Sequence, residues 1–355
     1  MIARVERKRL AHGSLENCSV REIVLQEPGS LAFRDGAECA ARKPGEALVR
    51  IHRIGVCGTD IHAFHGRQPF FTYPRVLGHE LGVEVLEADS IPPGTSCALE
   101  PYLNNPESGA SKMGKTNCCE DLEVLGVHTD GGMRRHLIVP EHKLHPSEEL
   151  TRDQLALVET LCIGAHAIER GAVEKDDFCV VIGAGPIGLG CAAFARQHTD
   201  SLAVVDVSQA RLETCQKTIS PPPHTIDPAA GPIDEQLRAV SGGRLPSVIL
   251  DATGNQKSME SCIEFAAHGA RIVFVGLFQG AFSVHDPTFH RKELSILSSR
   301  NAPAETFRSV IDSISCGALD PEVWITHRMA FDDVPGLFSG VSGAPDLVKA
   351  IIEVD

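Results

Sequence analysis

FCVVIGAGPIGLG, Phe178 to Gly190, is the stretch that decides the fold. An apolar run of strand length, Phe178–Ile182, leads directly into Gly183-Ala184-Gly185-Pro186-Ile187-Gly188, and a helical run continues to Gln197. This is the pattern G-x-G-x-x-G between a strand and a helix. Glycines at those places permit a tight turn, close approach of the backbone to a pyrophosphate, and close packing of helix on sheet. The helix N-terminus then attracts the anion. The pattern is completed by an acid about 20 residues on, at the end of the next strand, which binds ribose hydroxyls. Asp206 stands in that place, after the apolar run Leu202–Val205. A carboxylate there repels a 2′-phosphate, so NAD is expected rather than NADP. Arg211, a helical turn later, is the counter-signal and a further candidate cofactor contact. The competing reading is a structural glycine turn beside an ordinary strand-end aspartate.

The rhythm extends outward from this segment. Ser247–Leu250 and Arg271–Val275 read as strands, with a helix near Ser258–Ala267 between them. Strands alternating with helices at this spacing imply βαβ units and a parallel sheet. The first half differs. Ala47–Ile54 alternates as a half-buried strand does, Val83–Leu86 is a short strand, and Pro92-Pro93-Gly94 and Asn104–Gly114 read as loops. Phe178–Ala195 is uncharged and reaches the lower limit of a membrane span. Its glycines and Pro186 fit a strand–turn–helix better.

Composition agrees with a soluble α/β chain of about two domains. There are 355 residues, 43% apolar and 23% charged, with a formal net charge of −14. An acidic chain without a long basic run is a poor nucleic-acid or anionic-membrane binder. Arg4, Arg7, Lys8 and Arg9 lie near the N-terminus, but no apolar core of signal-peptide length follows. The 12 cysteines are scattered over a long chain. That favours cytosolic thiols, some of them metal ligands, over a disulfide framework. A cytoplasmic location is therefore expected.

Cys57-Gly58-Thr59-Asp60-Ile61-His62 precedes Gly78-His79-Glu80. An ionised Cys57 and a neutral His79 suit a borderline-soft metal, and a catalytic zinc takes about three protein ligands with one position open. Spacing does not identify the third ligand, and packing roles for both side chains remain the alternative.

These segments together resemble the zinc-dependent medium-chain alcohol and polyol dehydrogenases. The resemblance runs from about Val20 to the C-terminus. It is carried by GVCGTDIHAF (Gly55–Phe64), YPRVLGHE (Tyr73–Glu80), GVHTDGG (Gly126–Gly132), VIGAGPIGLG (Val181–Gly190) and DATGN (Asp251–Asn255). GRQPFFTYPRVLGHE, TNCC (Thr116–Cys119), FVGLFQG (Phe274–Gly280) and SSRNA (Ser298–Ala302) are similar to the L-galactonate oxidoreductase branch.

The resemblance implies a GroES-like, β-rich catalytic domain (20–155 and 292–355) around a Rossmann doubly wound parallel-sheet domain (156–291), after an N-terminal extension (1–19). It implies zinc ligation by Cys57, His79 and Glu159, with Glu80 beside the metal, ligating it transiently or through water. Thr59 and His62 are implied as the pair that carries the substrate proton to solvent. Arg67 and Arg300, in the branch-like segments, are candidate partners of a substrate carboxylate; His65 and His128 are candidate polar pocket groups. A small sugar acid or polyol is the implied substrate, NAD the acceptor, and a homodimer or homotetramer the assembly. A sorbitol-, L-idonate- or threonine-type dehydrogenase is one alternative, and an NAD-binding regulatory relative without catalysis is the alternative from another class.

The chain departs from the family pattern in the structural-zinc lobe. Asn105, Ser108 and Ser111 fall at three of its four cysteine positions, and only Cys119 remains. One thiolate with an amide and two hydroxyls is a poor zinc site. One catalytic zinc and no structural zinc are therefore expected. Val83 stands where glycine is usual, which fits only an extended backbone, and Thr160 follows Glu159 where proline is common.

Overall fold

The computed structural model describes residues 20–36, 41–68 and 71–354. The expected N-terminal extension, with Cys18, and Cys39 lie outside them.

Phe178–Ile182 forms a fully buried strand and the helix Pro186–His198 follows it. The strand is central in a six-stranded sheet. The spatial order is His224–Ile226, Ser201–Val205, Phe178–Ile182, Val248–Asp251, Arg271–Phe274 and Ser295–Ser298. Every pairing is parallel. With the strands counted in chain order this is 3-2-1-4-5-6, the doubly wound arrangement. Separate apolar clusters cover its two faces. One contains Val181, Val204 and Leu250, the other Val180, Ala203 and Ile249. Alternate residues of one strand thus enter different cores, as the strand period of two requires.

The last parallel strand, Ser295–Ser298, lies beyond residue 291. The expected boundary there is therefore too early. Leu294 and Ile296 belong to a core of the parallel sheet, and that burial draws the chain on as an edge strand.

The other large sheet has seven strands. Glu46–Val56 sits between Glu80–Glu87 and Lys349–Glu353 and pairs antiparallel with both. Ile325–Ala330 lies parallel beside Lys349–Glu353. The C-terminal segment therefore completes the sheet begun by the N-terminal half. Its core gathers Val49, Ile51, Leu81, Val85 and Ile352. Val83 is buried in Glu80–Glu87 opposite Ile51, so its β-branched side chain meets the extended backbone it needs.

A 20-residue helix, Arg152–Gly171, joins the two units. Thr151 Oγ1 accepts from Gln154 N at its start, and Gln154 Oε1 accepts from Thr151 N in return. Such a capping box satisfies two otherwise free N–H groups. The helix packs on Glu80–Glu87 and on Pro186–His198, so its buried middle residues lie where the two units meet. Among the described residues, no helix is long and apolar enough to cross a membrane.

Candidate active site

Cys57 is the N-cap of the short helix Gly58–Phe64, at the end of strand Glu46–Val56. Asp60 fixes this turn. Its carboxylate, 1% exposed, accepts from Cys57 N (3.0 Å) and Gly78 N (3.3 Å). One buried acid therefore ties the Cys57 turn to the residue before His79. Gly131 approaches the same place so closely that a Cβ on it would lie 2.3 Å from Gly78 O. Gly126 and Gly131 of GVHTDGG are explained by this contact with the Gly78 backbone, and Gly132 by the Leu81 side chain packed against it.

Among the described residues, Cys57, His79 and Glu80 form a group of potential metal ligands. One donor atom from each lies within 4.8 Å of the other two. His79 Nδ1 is buried without a hydrogen-bond partner, and Asp60 Oδ1 is 3.8 Å away, too far for one. Burial pulls the His79 pKa down, yet Cys57 and Asp60 outweigh it and hold the group well above its ordinary value. A thiol, an imidazole nitrogen and a carboxylate, each with one donor atom within 4.8 Å of the others, are a donor set that fits zinc.

Glu80 is fully buried and gripped by Lys349, which donates to Oε1 (2.6 Å), contacts Oε2, and reaches Thr160 Oγ1 (3.3 Å). Lys349 is 3% exposed. Unpaired buried charges are costly, so each of this pair requires the other. Burial opposes the charge on Lys349, but Glu80, Cys57 and Glu159 together hold its pKa above the ordinary value. Gly55, directly opposite Glu80 in the sheet, makes room for it. A Cβ there would lie 2.0 Å from Glu80 Oε2.

Glu159, implied as the third ligand, is not among the residues of that group, whereas Glu80 is. The Glu159 carboxylate accepts a hydrogen bond from the hydroxyl of Tyr102, and both residues are buried. Burial and the adjacent Glu159 raise the Tyr102 pKa well above its usual value, so the phenol remains a donor. Glu159 still interacts electrostatically with His79.

Thr59 and His62 stand three apart on the helix Gly58–Phe64, hence on neighbouring positions of one face. Burial, then Arg67 and His65, lower the His62 pKa. The Arg67 carbonyl accepts from Gln279 Nε2 (3.1 Å), a bond between the two units. The Arg300 carbonyl accepts from Asn117 Nδ2 (2.8 Å). Arg300 also acts electrostatically on His128. The two arginines therefore attend different histidines, and His65 lies near Ser342 (3.5 Å).

In the nucleotide turn, Gly183 has φ +92° and a Cβ on Gly188 would fall 1.7 Å from Gly183 O. Both must be glycine. Gly185 is the helix N-cap and Pro186 opens the helix, where its missing N–H costs nothing. Asp206 accepts from Ala184 N (2.6 Å) and Ser208 N (2.7 Å). It thus locks the turn against the second strand at the carboxyl end of the sheet. Ile187 is half-buried against the core, and Arg211 is exposed on the next helix.

The degenerate lobe keeps its shape without four thiols. Cys119 Sγ accepts from Asn105 N (3.2 Å) and also bonds to the Ser108 and Ser111 hydroxyls. Burial raises its pKa, but these bonds outweigh it and leave the thiol below its ordinary value. The donors that meet there do not suit zinc. The ten described cysteines are all free. Burial pushes Cys97, Cys191 and Cys215 up to about 12, and Cys179 and Cys262 up as well. These behave as small core hydrophobes.

The positions of Lys349, Tyr102 and Gly55 were not anticipated from sequence. Lys349 lies far along the chain, and only the sheet topology brings it to Glu80. Gly55 did carry a signal, since glycine in the middle of a strand marks a close approach.

Residues 43–149 match the alcohol dehydrogenase GroES-like domain and 186–315 the zinc-binding dehydrogenase domain. The chain is 39% identical over 335 residues to L-galactonate-5-dehydrogenase of Escherichia coli (strain K12), covering 93% of this chain and 98% of that one. It is 29% identical over 360 residues to D-xylulose reductase of Scheffersomyces stipitis, covering 93% and 98%. Among solved structures it is similar to an alcohol dehydrogenase (rspB) from E. coli CFT073 complexed with NADH. That match has a TM-score of 0.87 and 28% identity, and covers 94% of this chain and 99% of that one.

Proposed function

The chain belongs to the zinc-type medium-chain alcohol dehydrogenase family, and from that premise we propose that it oxidises a secondary hydroxyl of an L-galactonate-like sugar acid, with hydride passing to NAD. The observation that carries the reading is the convergence of Cys57, His79 and Glu80 within 4.8 Å. Zinc held there supplies a Lewis acid that lowers the pKa of a bound hydroxyl. The chain's own residues do the rest. Lys349 places a positive charge against Glu80, close enough to Cys57 and Glu159 to interact with both. Thr59 and His62 carry the released proton outward, and the depressed His62 pKa keeps its ring neutral and ready to accept. The Gly183–Gly188 turn and the first turn of its helix receive the cofactor pyrophosphate, with Ile187 beneath it. Asp206 meets the ribose, and Arg211 lies on the outer side of that site.

Arg67 and Arg300 are proposed to meet the substrate carboxylate, since a guanidinium pairs with it through two parallel bonds. A polyol would lack that partner. The similarity to the E. coli L-galactonate enzyme over nearly the whole chain supports the sugar acid. We further propose a homo-oligomer formed through Ser295–Ser298, an edge strand of the parallel sheet. A cytoplasmic location is proposed from the free, mostly buried thiols.

The test is a screen of NAD reduction on aldonates, polyols and threonine. Turnover of L-galactonate supports the proposal. Turnover of sorbitol with none on any aldonate refutes the sugar-acid assignment. NAD binding without turnover on any of them supports the regulatory alternative instead.

A further inference from the structure

Tyr102 has no part in the chemistry above, yet it is 2% exposed and donates to a carboxylate at the site. Its ring is held edge-on to Phe307, with centroids 6.1 Å apart and an interplanar angle of 74°. Packing of the ring therefore places the hydroxyl oxygen against Glu159. Two glutamates flank Cys57 and His79, and each has its own buried donor. Lys349 holds Glu80, inside the ligand cluster. Tyr102 holds Glu159, outside it.

The two donors differ in kind. Lys349 brings a positive charge to a fully buried carboxylate. Tyr102 brings none and supplies only direction. A catalytic zinc requires one position free of protein ligands, and a second carboxylate swung into the cluster would fill it. We propose that Tyr102 is a positioning residue that holds the Glu159 carboxylate out of the metal's ligand set, so that Cys57, His79 and Glu80 bind the ion and one position stays open to substrate. This rests on the zinc-site reading above.

The test uses the full-length protein loaded with Co2+ in place of zinc, read by its visible spectrum and by metal affinity. Tyr102→Phe keeps the ring and its packing on Phe307 and removes only the hydroxyl. Glu159 should then join the metal. The visible bands weaken as a ligand is added, and Co2+ affinity rises by about 10-fold, the scale of an outer-shell change. Tyr102→Phe with Glu159→Gln should restore the wild-type spectrum, and Glu159→Gln alone should leave it unchanged. A spectrum and affinity unmoved by Tyr102→Phe overturn the proposal. So does a changed spectrum that Glu159→Gln fails to restore. Absence of any Cys57-dependent cobalt band in the wild type overturns the zinc-site reading, and this proposal with it. An intact band that ignores Tyr102→Phe overturns this proposal alone.

Discussion

Gly55→Ala should remove the metal without replacing any ligand. Gly55 lies opposite Glu80 in the sheet, and its other neighbour is Ile351 on the strand that carries Lys349. Both flanking strands are fixed by backbone pairing, so neither can slide away from an added methyl. That methyl would lie 2.0 Å from Glu80 Oε2, whereas ordinary contact begins at 3.4 Å, so the oxygen must retreat by about 1.4 Å. Metal–ligand distances tolerate only about 0.2 Å. Glu80 Cβ is also too close, at 2.9 Å, so rotating the carboxylate does not clear the overlap. Loss of an outer-shell partner costs about 10- to 100-fold in metal affinity, and displacement of a ligand should cost about 100-fold or more. The assay is zinc competition against a chelator with apo-protein, alongside thermal unfolding. Gly55→Ala with Glu80→Ala removes the overlap but leaves Lys349 buried and unpaired, so zinc affinity should stay low and the unfolding temperature should not return to the wild-type value. An affinity for Gly55→Ala within about 10-fold of wild type would refute the placement of Glu80 in the ligand cluster.

Other consequences are as direct. Arg300→Met should raise KM for L-galactonate by about 10- to 100-fold, the loss of one charge-assisted pair, with little change for sorbitol; equal effects on both substrates would remove Arg300 from carboxylate recognition. Asp206→Ala should raise KM for NAD and narrow the preference over NADP, as measured by initial rates with both cofactors; an unchanged ratio would sink the ribose role. Glu141 offers a pH test. The Ser90 hydroxyl, with Asp89 N (2.8 Å), Ser90 N (2.7 Å) and Ile91 N (2.9 Å), lowers its pKa from 4.5 to about 2. A carboxyl lowered on folding adds stability above its unfolded pKa and loses it as pH falls through the folded one. Urea midpoints should therefore show a Glu141-dependent decline between about 4.5 and 2. Glu141→Gln should lack that component, and identical pH slopes for both proteins would contradict the assignment.

Much of this was legible from local sequence. Phe178–Gly190 declared strand, turn and helix, because the glycines serve contacts within a few residues of themselves. Asp206 was legible for the same reason, since one βα unit fixes its distance from the turn. The ligand set was less so. Cys57 and His79 were visible, but whether Glu80 or Glu159 joins them depends on donors that arrive from elsewhere. Lys349 comes from the last strand, and Tyr102 from a short strand beyond the Glu80 sheet. Neither contact has a sequence period. The edge strand Ser295–Ser298 was placed outside its domain because its pattern is short and only half-buried. The loss of the structural site was readable from Asn105, Ser108 and Ser111. The bonds from these residues to Cys119, which keep the lobe folded, were not.

Zinc content per chain of the purified protein, measured on wild type and on Cys57→Ser, tests the single catalytic centre most directly. The arrangement of Cys57, His79 and Glu80, with a lobe built on Cys119 and hydroxyls, predicts about one zinc per chain, lost in Cys57→Ser. About two per chain, or zinc retained after Cys57→Ser, would contradict it.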